Sequence, residues 1–346
     1  MKQISRRYEY LIIIGIFILL VSSCQKDPII SNPVPSQLEL DFPSYFPQPH
    51  YQFITNILSK DRVVLGKELF YDPILSSDSS VSCASCHKQI NAFSDAGNSF
   101  SFGVNHAVGT RNSPTIFNMI WNTSFMADGG INHIEIMPLA PLTVENEMNE
   151  DMNNIMLKLQ RSTKYQYLFH EAFGENSINA KNFFYSLAQF MGTIISANSK
   201  YDEFREGKVS YTSEESKGYQ LFLTHCNSCH QEPLFTNYSF QNNGIDSVFS
   251  DAGRQRITLD ENDLGKFKVP TLRNLQYTAP YMHNGSFSTI EDVVQHYSDQ
   301  IIESNTLAPI LKGGFKLNQD EKNNLIAFLK TLNDPTLLSN EDLIVK

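Results

Sequence analysis

Two short motifs carry the most distinctive chemistry in this chain, because each has two cysteines three residues apart and a histidine directly after the second. They read CASCH at 83–87 and CNSCH at 226–230. Two thiols at this spacing can each add to one vinyl group of a haem, while the adjacent histidine reaches the iron from one face. The motifs therefore predict two covalently bound haem c groups. The predicted attachment residues are Cys83, Cys86, Cys226 and Cys229, and the predicted proximal ligands are His87 and His230.

The positions of the cysteines help to distinguish haem attachment from other kinds of cysteine site. The chain has five cysteines, and the two motifs contain all of them except Cys24. A redox-active CxxC or a four-cysteine zinc site would explain the paired cysteines, but neither explains the histidine that follows both pairs. No cysteine remains for a disulfide or a catalytic thiol, so haem attachment is the favoured interpretation.

A third stretch rich in metal-binding side chains lies at 281–300 and reads YMHNGSFSTIEDVVQHYSDQ. It contains Met282, His283, His296 and Tyr297. A methionine ligand raises the reduction potential of a haem, whereas an anionic phenolate stabilises ferric iron. From the residues alone, Met282, His283, His296 and Tyr297 all remain candidates for the second ligand of one haem iron.

Helices are predicted to position these residues. RVVLGKELFYDP precedes the first motif with apolar residues at helical spacing, and TSEESKGYQLFLTHCNSCH opens with a capping-box pattern at Thr212 and Glu215. LNQDEKNNLIAFLKTL carries an apolar stripe after the capping residue Asn318. EDMNNIMLKLQRSTKYQYLFHEAFG and NAKNFFYSLAQFMGTIISANSKYDEF are each predicted to be one amphipathic helix, and VVQHYSDQ a short one. Residues 99–148 have few helix signals and predict a long, functional loop.

The front of the chain predicts a lipoprotein signal peptide at residues 1–23. Positive charges precede an apolar run that is short for a membrane span, and VSSC ends at Cys24. A cysteine after small residues is where bacterial lipoprotein signals are cut and the thiol is acylated; the alternative is a short uncleaved anchor. Residues 24–41 are rich in Pro, Ser and Asn and predict a flexible tether. We therefore expect a periplasmic protein anchored by lipid on Cys24, with the outer membrane favoured.

Length and composition indicate the number of domains and the kind of binding partner. The chain has 346 residues, of which 41% are hydrophobic, enough for two domains of ordinary size. The predicted fold class is mainly α, with two cytochrome-c-like helical haem domains, at 42–205 and 206–346, and long ordered loops. A formal net charge of -10 argues against binding nucleic acid and favours a soluble partner with basic patches.

The order of several motifs resembles the bacterial di-haem cytochrome c peroxidases and their MauG-like relatives, from about Leu65 to Leu332. Between and after the two CxxCH motifs, these are GTRNSPT at 109–115, DGG at 128–130, ENEM at 145–148 and VPTLRNLQYTAPYMHNGSF at 269–287. The resemblance implies a peroxide-binding haem on His87 and an electron-transfer haem on His230. It implies that hydrogen peroxide is the substrate and a small protein such as a cytochrome the electron donor, with a homodimer as a further candidate assembly.

The resemblance also implies roles for single residues. Glu147, in the family's EM pair, would carry a proton between the two peroxide oxygens, and the alternative for it and for Glu145 is a solvated surface carboxylate. His283 would be a hydrogen-bonding residue beside a haem. The family places calcium between its domains, and the matching ligands here are the Asn112 side chain and the carbonyls of Thr278 and Pro280. The alternative for Asn112 is that it caps a turn.

This sequence departs from the family pattern at several positions. Where the better-known peroxidases have a histidine that caps the resting peroxidatic iron, the ungapped alignment places Val104, with His106 two residues later. The iron is expected to be open at rest, and binding of His106 is the alternative. Ala127 stands where the family usually has Trp, the chain's only tryptophan is Trp121, and Met137 replaces a distal Gln.

The same alignment favours Tyr297 as second ligand of the electron-transfer haem, because it lies at the ligand position and MauG-like proteins use tyrosine there. Met282 or His296 is the alternative. The leading function is therefore a peroxidase that reduces hydrogen peroxide to water. A MauG-like oxidase, acting on a protein or organic substrate through a high-valent His/Tyr haem, is the second possibility. An electron-transfer cytochrome is the third, although a relay needs no proton donor at Glu147.

Overall fold

Helices and ordered loops account for nearly all of the computed structural model, which describes residues 36–345. The α-helices are α1 (Lys60–Tyr71), α2 (Cys83–Cys86), α3 (Leu139–Thr143), α4 (Met152–Arg161), α5 (Thr163–Phe173), α6 (Ala180–Thr193), α7 (Lys200–Arg205), α8 (Ser213–His225), α9 (Gln255–Thr258), α10 (Ile290–Asp299), α11 (Gln319–Lys330) and α12 (Pro335–Ser339). Short 3-10 helices span Pro73–Leu75, Gln89–Asn91, Val104–His106, Met119–Trp121, Glu261–Asp263, Leu275–Tyr277, Pro309–Leu311 and Glu341–Leu343. Strands β1 (Phe240–Gln241) and β2 (Phe267–Lys268) pair antiparallel, with Phe240 opposite Lys268.

Side-chain caps explain where the helices around the motifs begin. α8 begins with a capping box in which the Thr212 side chain accepts from the Glu215 amide and the Glu215 carboxylate accepts from the Thr212 amide. α11 begins with the same reciprocal pair, made by Asn318 and Glu321. Both caps satisfy amide groups that have no partner within the helix. The predicted starts of these two helices are confirmed.

Two segments predicted to be single helices are each broken, so those predictions were wrong. α4 ends and α5 begins at Ser162, whose side chain accepts from the Tyr165 amide and so caps a new helix. Between α6 and α7 the chain is extended, because the Asp334 carboxylate accepts hydrogen bonds from the amides of Ala197 and Asn198. Backbone donors used in this way cannot continue a helical ladder.

The chain joins the fold slightly before the position expected from the sequence. Gln37 forms a backbone bridge with Ser59, and the Ser36 hydroxyl lies 3.1 Å from the Asp61 carboxylate. Residues 36–41, which were predicted to belong to the tether, therefore contact the start of α1. The predicted signal peptide, Cys24 and the rest of the tether lie outside the described residues. Within residues 36–345, no helix is both long enough and apolar enough to cross a lipid bilayer.

The helix before each CxxCH motif crosses a second helix at a glycine. A Cβ added to Gly66 in α1 would overlap the carbonyl of Ser186 in α6, and one added to Gly218 in α8 would overlap the carbonyl of Asn324 in α11. Only glycine permits two helix backbones to approach this closely. A phenylalanine of the second helix, Phe190 or Phe328, lies against each glycine, so the two halves repeat the same crossing.

Each crossing belongs to its own hydrophobic core. The first core contains residues between Phe46 and Ala197 together with Leu234, Leu337 and Leu343, and the second contains residues between Tyr201 and Leu332. Each CxxCH motif thus follows a helix buried in its own core, and both cores lie within one compact unit.

Candidate active site

The first CxxCH motif occupies the single turn α2 and the residue that caps it. The His87 amide donates to the Cys83 carbonyl at 2.9 Å, so the histidine closes the turn that carries both cysteines. His87 Nδ1 donates to the Phe93 carbonyl at 3.1 Å, and the Ser113 hydroxyl donates to the Cys86 carbonyl at 3.1 Å. Burial lowers the pKa of His87, which keeps its ring neutral.

The second motif follows directly from α8 and repeats this geometry. The His230 amide donates to the Cys226 carbonyl at 2.9 Å. His230 Nδ1 lies 3.0 Å from the Pro270 carbonyl oxygen and 3.3 Å from that of Phe235. Burial lowers the pKa of His230 to about 4. This histidine is therefore also neutral, and the VPTLRN segment fixes its orientation through Pro270.

Both motifs fit covalent haem attachment better than either alternative. An Nδ1–H held by a main-chain carbonyl leaves the Nε2 lone pair available to a metal. Burial raises the pKa of Cys83 and of Cys226 to about 12, whereas a redox-active CxxC needs a lowered value. Nowhere in residues 36–345 do three or more His, Cys, Asp or Glu side chains form a cluster suited to a metal ion, which argues against a zinc site.

The three candidates for second ligand of the second haem differ clearly in their surroundings. Tyr297 lies on α10 and interacts electrostatically with Cys226 and Cys229 of the second motif. The adjacent His296 is buried, and its Nε2 donates to the Asn243 carbonyl at 2.9 Å. Neighbouring residues on a helix project about 100° apart. Tyr297 therefore faces the second motif, while the His296 ring nitrogen is already bonded elsewhere.

Met282 is also engaged in a contact. Its sulfur lies 3.0 Å from Asn243 Nδ2, which donates to it. Burial raises the pKa of Tyr297 to about 12, and a hydrogen bond from the Asn243 side chain partly opposes that rise. Tyr297 is thus a neutral, half-buried phenol.

Glu147 lies beside the first motif. Burial is the main cause of the raised pKa of Cys86, and the negative charges of Asp95 and Glu147 add to it. Burial also raises the pKa of Glu147 itself, which favours its protonated form at higher pH than for a solvated carboxyl. Glu145 is exposed. Of the two carboxylates, Glu147 is the partly buried one and lies near the haem motif.

The loop at 101–109 packs over Glu147. The amide of Val104 donates to the Glu147 carbonyl at 2.8 Å, and the Val104 side chain is 1% exposed within the first core. His106, two residues later, is exposed and has a φ of +58°, in the left-handed region. Val104 therefore faces the interior, whereas His106 lies at the surface.

The separate sequence motifs meet around Arg111. Its guanidinium donates to Asp128 of the DGG motif at 2.7 Å and to Asp251 at 2.6 and 2.8 Å. The amide of the next residue, Asn112, donates to the His283 carbonyl at 2.7 Å. The His283 ring stacks on Phe267 at a centroid separation of 3.9 Å. The RNSPT, DGG and YMHNG segments thus form one frame, and His283 is positioned within it.

Of the three predicted calcium ligands, Pro280 lines a cavity, whereas Asn112 and Thr278 are not among its lining residues. Asn112 Nδ2 donates to the carbonyls of Asn98 and Ser99 at 3.1 and 3.2 Å. The Gly97 amide donates to the Ala279 carbonyl at 2.9 Å, which brings the TAPY segment to the same loop. A cavity of about 340 Å³ is lined there by Ala96, Gly97, Ser99, Gln276, Tyr277, Ala279, Pro280 and Ser288. Thr278 flanks this cavity in the chain, and its hydroxyl donates to the Leu275 carbonyl at 3.3 Å.

The positions that depart from the family pattern have separate surroundings. The Ala127 carbonyl accepts from the Lys268 amide at 2.8 Å, so it lies beside the second half of the chain. Trp121 is buried, donates to the Pro47 carbonyl at 2.7 Å and packs edge-on against Phe46. Trp121 thus belongs to the core around the N-terminal segment. Met137 packs against the first core.

Sequence reasoning missed three residues that support the second site. Asn243 lies in a loop after β1, and no periodic pattern marks it. Arg273 and Asp202 form a fully buried ion pair, with two N–O distances of 2.8 Å. Arg273 also donates to the Pro233 carbonyl, in the loop that follows His230. A charged residue inside the apolar VPTLRNL segment was the only available signal for Arg273.

Comparison with known proteins agrees with this arrangement. The family described as "Di-haem cytochrome c peroxidase" matches residues 60–210. "Methylamine utilization protein MauG" of Methylophilus methylotrophus is 32% identical over 314 residues, which cover 88% of this chain and 90% of that protein. "Cytochrome c551 peroxidase" of Nitrosomonas europaea is 32% identical over 278 residues, covering 79% of this chain and 80% of that protein. The chain belongs to the di-haem cytochrome c peroxidase and MauG family.

A solved structure supports the same assignment for the fold. A "MauG-like protein associated with microbial copper homeostasis" superposes with a TM-score of 0.79 at 29% identity, covering 88% of this chain and 98% of the other. The predicted family and the mainly helical, cytochrome-c-like fold class are therefore confirmed. Membership of a di-haem family also implies two haem c groups, in agreement with the two CxxCH motifs.

Proposed function

We propose that this chain is a di-haem peroxidase that reduces hydrogen peroxide to water, H2O2 + 2 e− + 2 H+ → 2 H2O, with electrons from a small redox protein. The observation that carries the proposal is the position of Glu147, a carboxyl of raised pKa beside the first CxxCH motif. A simple electron relay has no use for such a group. Relatives named cytochrome c peroxidase, 32% identical to this chain, support the same reaction.

Glu147 is the proposed proton carrier. Cys83, Cys86 and His87 would hold the first haem, and that haem would supply the iron that binds and reduces peroxide. Glu147 accepts a proton from the near peroxide oxygen and returns it to the far one, so the far oxygen leaves as water. Burial raises the pKa of Glu147, which makes the carboxyl a stronger base when it is ionised.

Replacing Glu147 tests this role. Glu147→Gln keeps the shape but removes the exchangeable proton, and we expect turnover with peroxide to fall by about 10²- to 10⁴-fold. The exposed Glu145→Gln is the matched control and should retain the parent rate. Steady-state oxidation of a reduced small cytochrome, followed by absorbance, provides the measurement. Equal rates for Glu147→Gln and Glu145→Gln would refute the role of Glu147.

We propose that Tyr297 is the second ligand of the haem on His230. Its position near Cys226 and Cys229, and the engagement of His296 elsewhere, support this choice. Tyr297→Phe should change the absorption and electron paramagnetic resonance spectra of the low-spin haem, whereas Met282→Leu should leave the tyrosine-ligated spectrum in place. An unchanged spectrum in Tyr297→Phe would show that tyrosine does not bind the iron.

The same tyrosine favours a second candidate function. A phenolate ligand stabilises oxidised iron, which suits a MauG-like oxidase of a protein or organic substrate better than a donor-driven peroxidase. The chain is 32% identical to a protein named for methylamine utilisation. Steady-state assays with peroxide and reduced cytochrome separate the two functions. Negligible donor oxidation by holoprotein carrying both haems would reject the peroxidase and leave the oxidase.

We further propose a calcium ion held by Asn112, Thr278 and Pro280, with His283 as a haem-side hydrogen-bonding residue. The closeness of the Asn112 and Ala279 segments to residues 97–99 supports the calcium site. Calcium measured by atomic absorption in the purified holoprotein should approach one ion per chain and should fall in Asn112→Ala. Retention of calcium by Asn112→Ala would exclude this ligand set.

Export and domain division complete the proposal. The chain is proposed to be a periplasmic lipoprotein acylated on Cys24, so Cys24→Ala should move from the membrane fraction to the soluble one. If Cys24→Ala stayed in the membrane fraction, the lipid anchor would be excluded. The two haem domains are proposed at 42–205 and 206–346, supported by the repeated glycine crossing. The two cores follow this division except that Leu234, Leu337 and Leu343 pack in the first core and Tyr201 in the second.

A further inference from the structure

One loop residue binds both rivals of Tyr297 for the second iron. The Asn243 side-chain nitrogen donates to the Met282 sulfur at 3.0 Å. The Asn243 main-chain carbonyl accepts from His296 Nε2 at 2.9 Å. The contacts differ in kind, because His296 is held by the backbone of Asn243 and Met282 by its side-chain amide.

The side-chain contact is the one that a substitution can remove. The Met282 side chain is flexible, so its sulfur depends on the Asn243 amide to keep its position. Loss of that amide would leave the sulfur free to compete with the Tyr297 oxygen for the iron.

The backbone at both ends of this contact is held in place. On one side, the Asn242 side chain donates to the hydroxyls of Ser304 and Thr306 at 3.0 and 2.9 Å and accepts from the Gly244 amide at 2.9 Å. On the other side, Met282 has a φ of +74°, in the left-handed region. The Asn243 amide is thus presented to a fixed turn, and only side chains need to move for a ligand exchange.

We propose that Asn243 is a positioning residue that selects Tyr297 over Met282 as ligand of the second haem, by binding the Met282 sulfur. The inference rests on the proposed ligation by Tyr297. The choice has a chemical consequence, because a thioether raises the potential of a c-type haem and a phenolate favours its ferric state. Asn243 would thereby hold the second haem in the low-potential form.

The test uses the full-length holoprotein and reads the low-spin haem by electron paramagnetic resonance and near-infrared absorption, with midpoint potentials measured by redox titration. Asn243→Leu removes both donors and leaves the main-chain carbonyl for His296. We expect a second, methionine-ligated low-spin form of higher potential beside the tyrosine-ligated one. The double variant Asn243→Leu with Met282→Leu should return to a single tyrosine-ligated form.

Two further variants keep the test decisive. Asn243→Asp has the shape of the parent residue without its donors, so it should also show the second form if Asn243→Leu does not fold. Asn242→Leu loosens the same loop without touching Met282 or Tyr297, and it should show only the parent form.

Three outcomes would overturn the proposal. They are a single parental form in both Asn243 variants, the same second form in Asn242→Leu, and a second form that persists when Met282 is also replaced. Failure of the ligand assignment itself is a different result, because Tyr297→Phe would then leave the low-spin spectrum unchanged. If Tyr297→Phe alters that spectrum but the Asn243 variants do not, only the proposed role of Asn243 is rejected and the ligand assignment stands.

Discussion

Replacing Asp202 by asparagine is expected to destabilise the fold more than most single substitutions, because it leaves a buried arginine without its counter-charge. Arg273 is 0% exposed and the side chain of Asp202 is 3% exposed. The carboxylate accepts two hydrogen bonds from the guanidinium, both at 2.8 Å, and others from the amide and hydroxyl of Ser199. Asp202→Asn keeps the shape of the side chain, removes the charge and replaces one of the two acceptor oxygens by an NH2 donor.

The magnitude follows from the burial of the pair. Removing one partner of a fully buried ion pair costs about 3–5 kcal/mol in the free energy of unfolding, because the remaining charge stays desolvated. At about 2 °C per kcal/mol for a unit of this size, the loss corresponds to a fall in Tm of about 6–10 °C. Arg273 also contacts the rings of Phe46, Tyr201 and Phe235, with centroid distances of 5.1, 5.7 and 5.5 Å. These contacts hold the guanidinium in place, so it cannot escape to water.

Thermal unfolding followed by circular dichroism gives the measurement. Lys164→Met is the matched control, because Lys164 pairs with Glu68 at 2.9 Å but its side chain is 46% exposed. Such a pair contributes less than about 1 kcal/mol. The double replacement Asp202→Leu with Arg273→Met should recover much of the loss, since it removes both charges. A loss in Asp202→Asn no larger than in Lys164→Met would refute the reasoning.

The pH dependence of this effect has a definite sign. Burial alone would raise the pKa of Asp202, but hydrogen bonds and charge from Arg273, with the Ser199 donors, outweigh it and hold the pKa below its ordinary value. A carboxyl with a depressed folded pKa stabilises the fold above its unfolded pKa of about 3.9, and the contribution is lost as pH falls through the folded pKa. The difference between parent and Asp202→Asn should therefore shrink below about pH 4.

Three further outcomes are expected. Gly218→Ala should lower the free energy of unfolding by about 1–3 kcal/mol in chemical denaturation, because its Cβ would overlap the Asn324 carbonyl; the exposed Ser216→Ala on the same helix should not, and equal losses would exclude the close crossing as the cause. Replacing Cys83 and Cys86 together by serine should lower the covalently bound haem from two groups to one by mass spectrometry of the denatured chain, and retention of two would contradict attachment there. His106→Ala should leave the resting spectrum of the first haem unchanged, whereas a new high-spin signal would identify His106 as a ligand.

Local sequence signals were sufficient for the haem motifs and for the helix starts near them. The spacing of cysteines and histidine in CxxCH is a covalent requirement of the cofactor, so it needs no knowledge of the fold. The capping boxes at Thr212 and Asn318 are also local, since donor and acceptor lie three residues apart. The break at Ser162 was missed because apolar periodicity continues across it and only the serine cap interrupts the ladder.

The chain by itself therefore determined the family, and its two CxxCH motifs predict where the two haems attach. Tertiary structure decided which of those residues meet, because contacts such as Asn243 with Met282, or Asp202 with Arg273, join residues 39 and 71 positions apart. Such pairs leave no periodic trace in the sequence. In the sequence alone, Met282, His296 and Tyr297 are equivalent candidates. The fold distinguishes them, because it presents Tyr297 to the second CxxCH motif and bonds Met282 and His296 to Asn243.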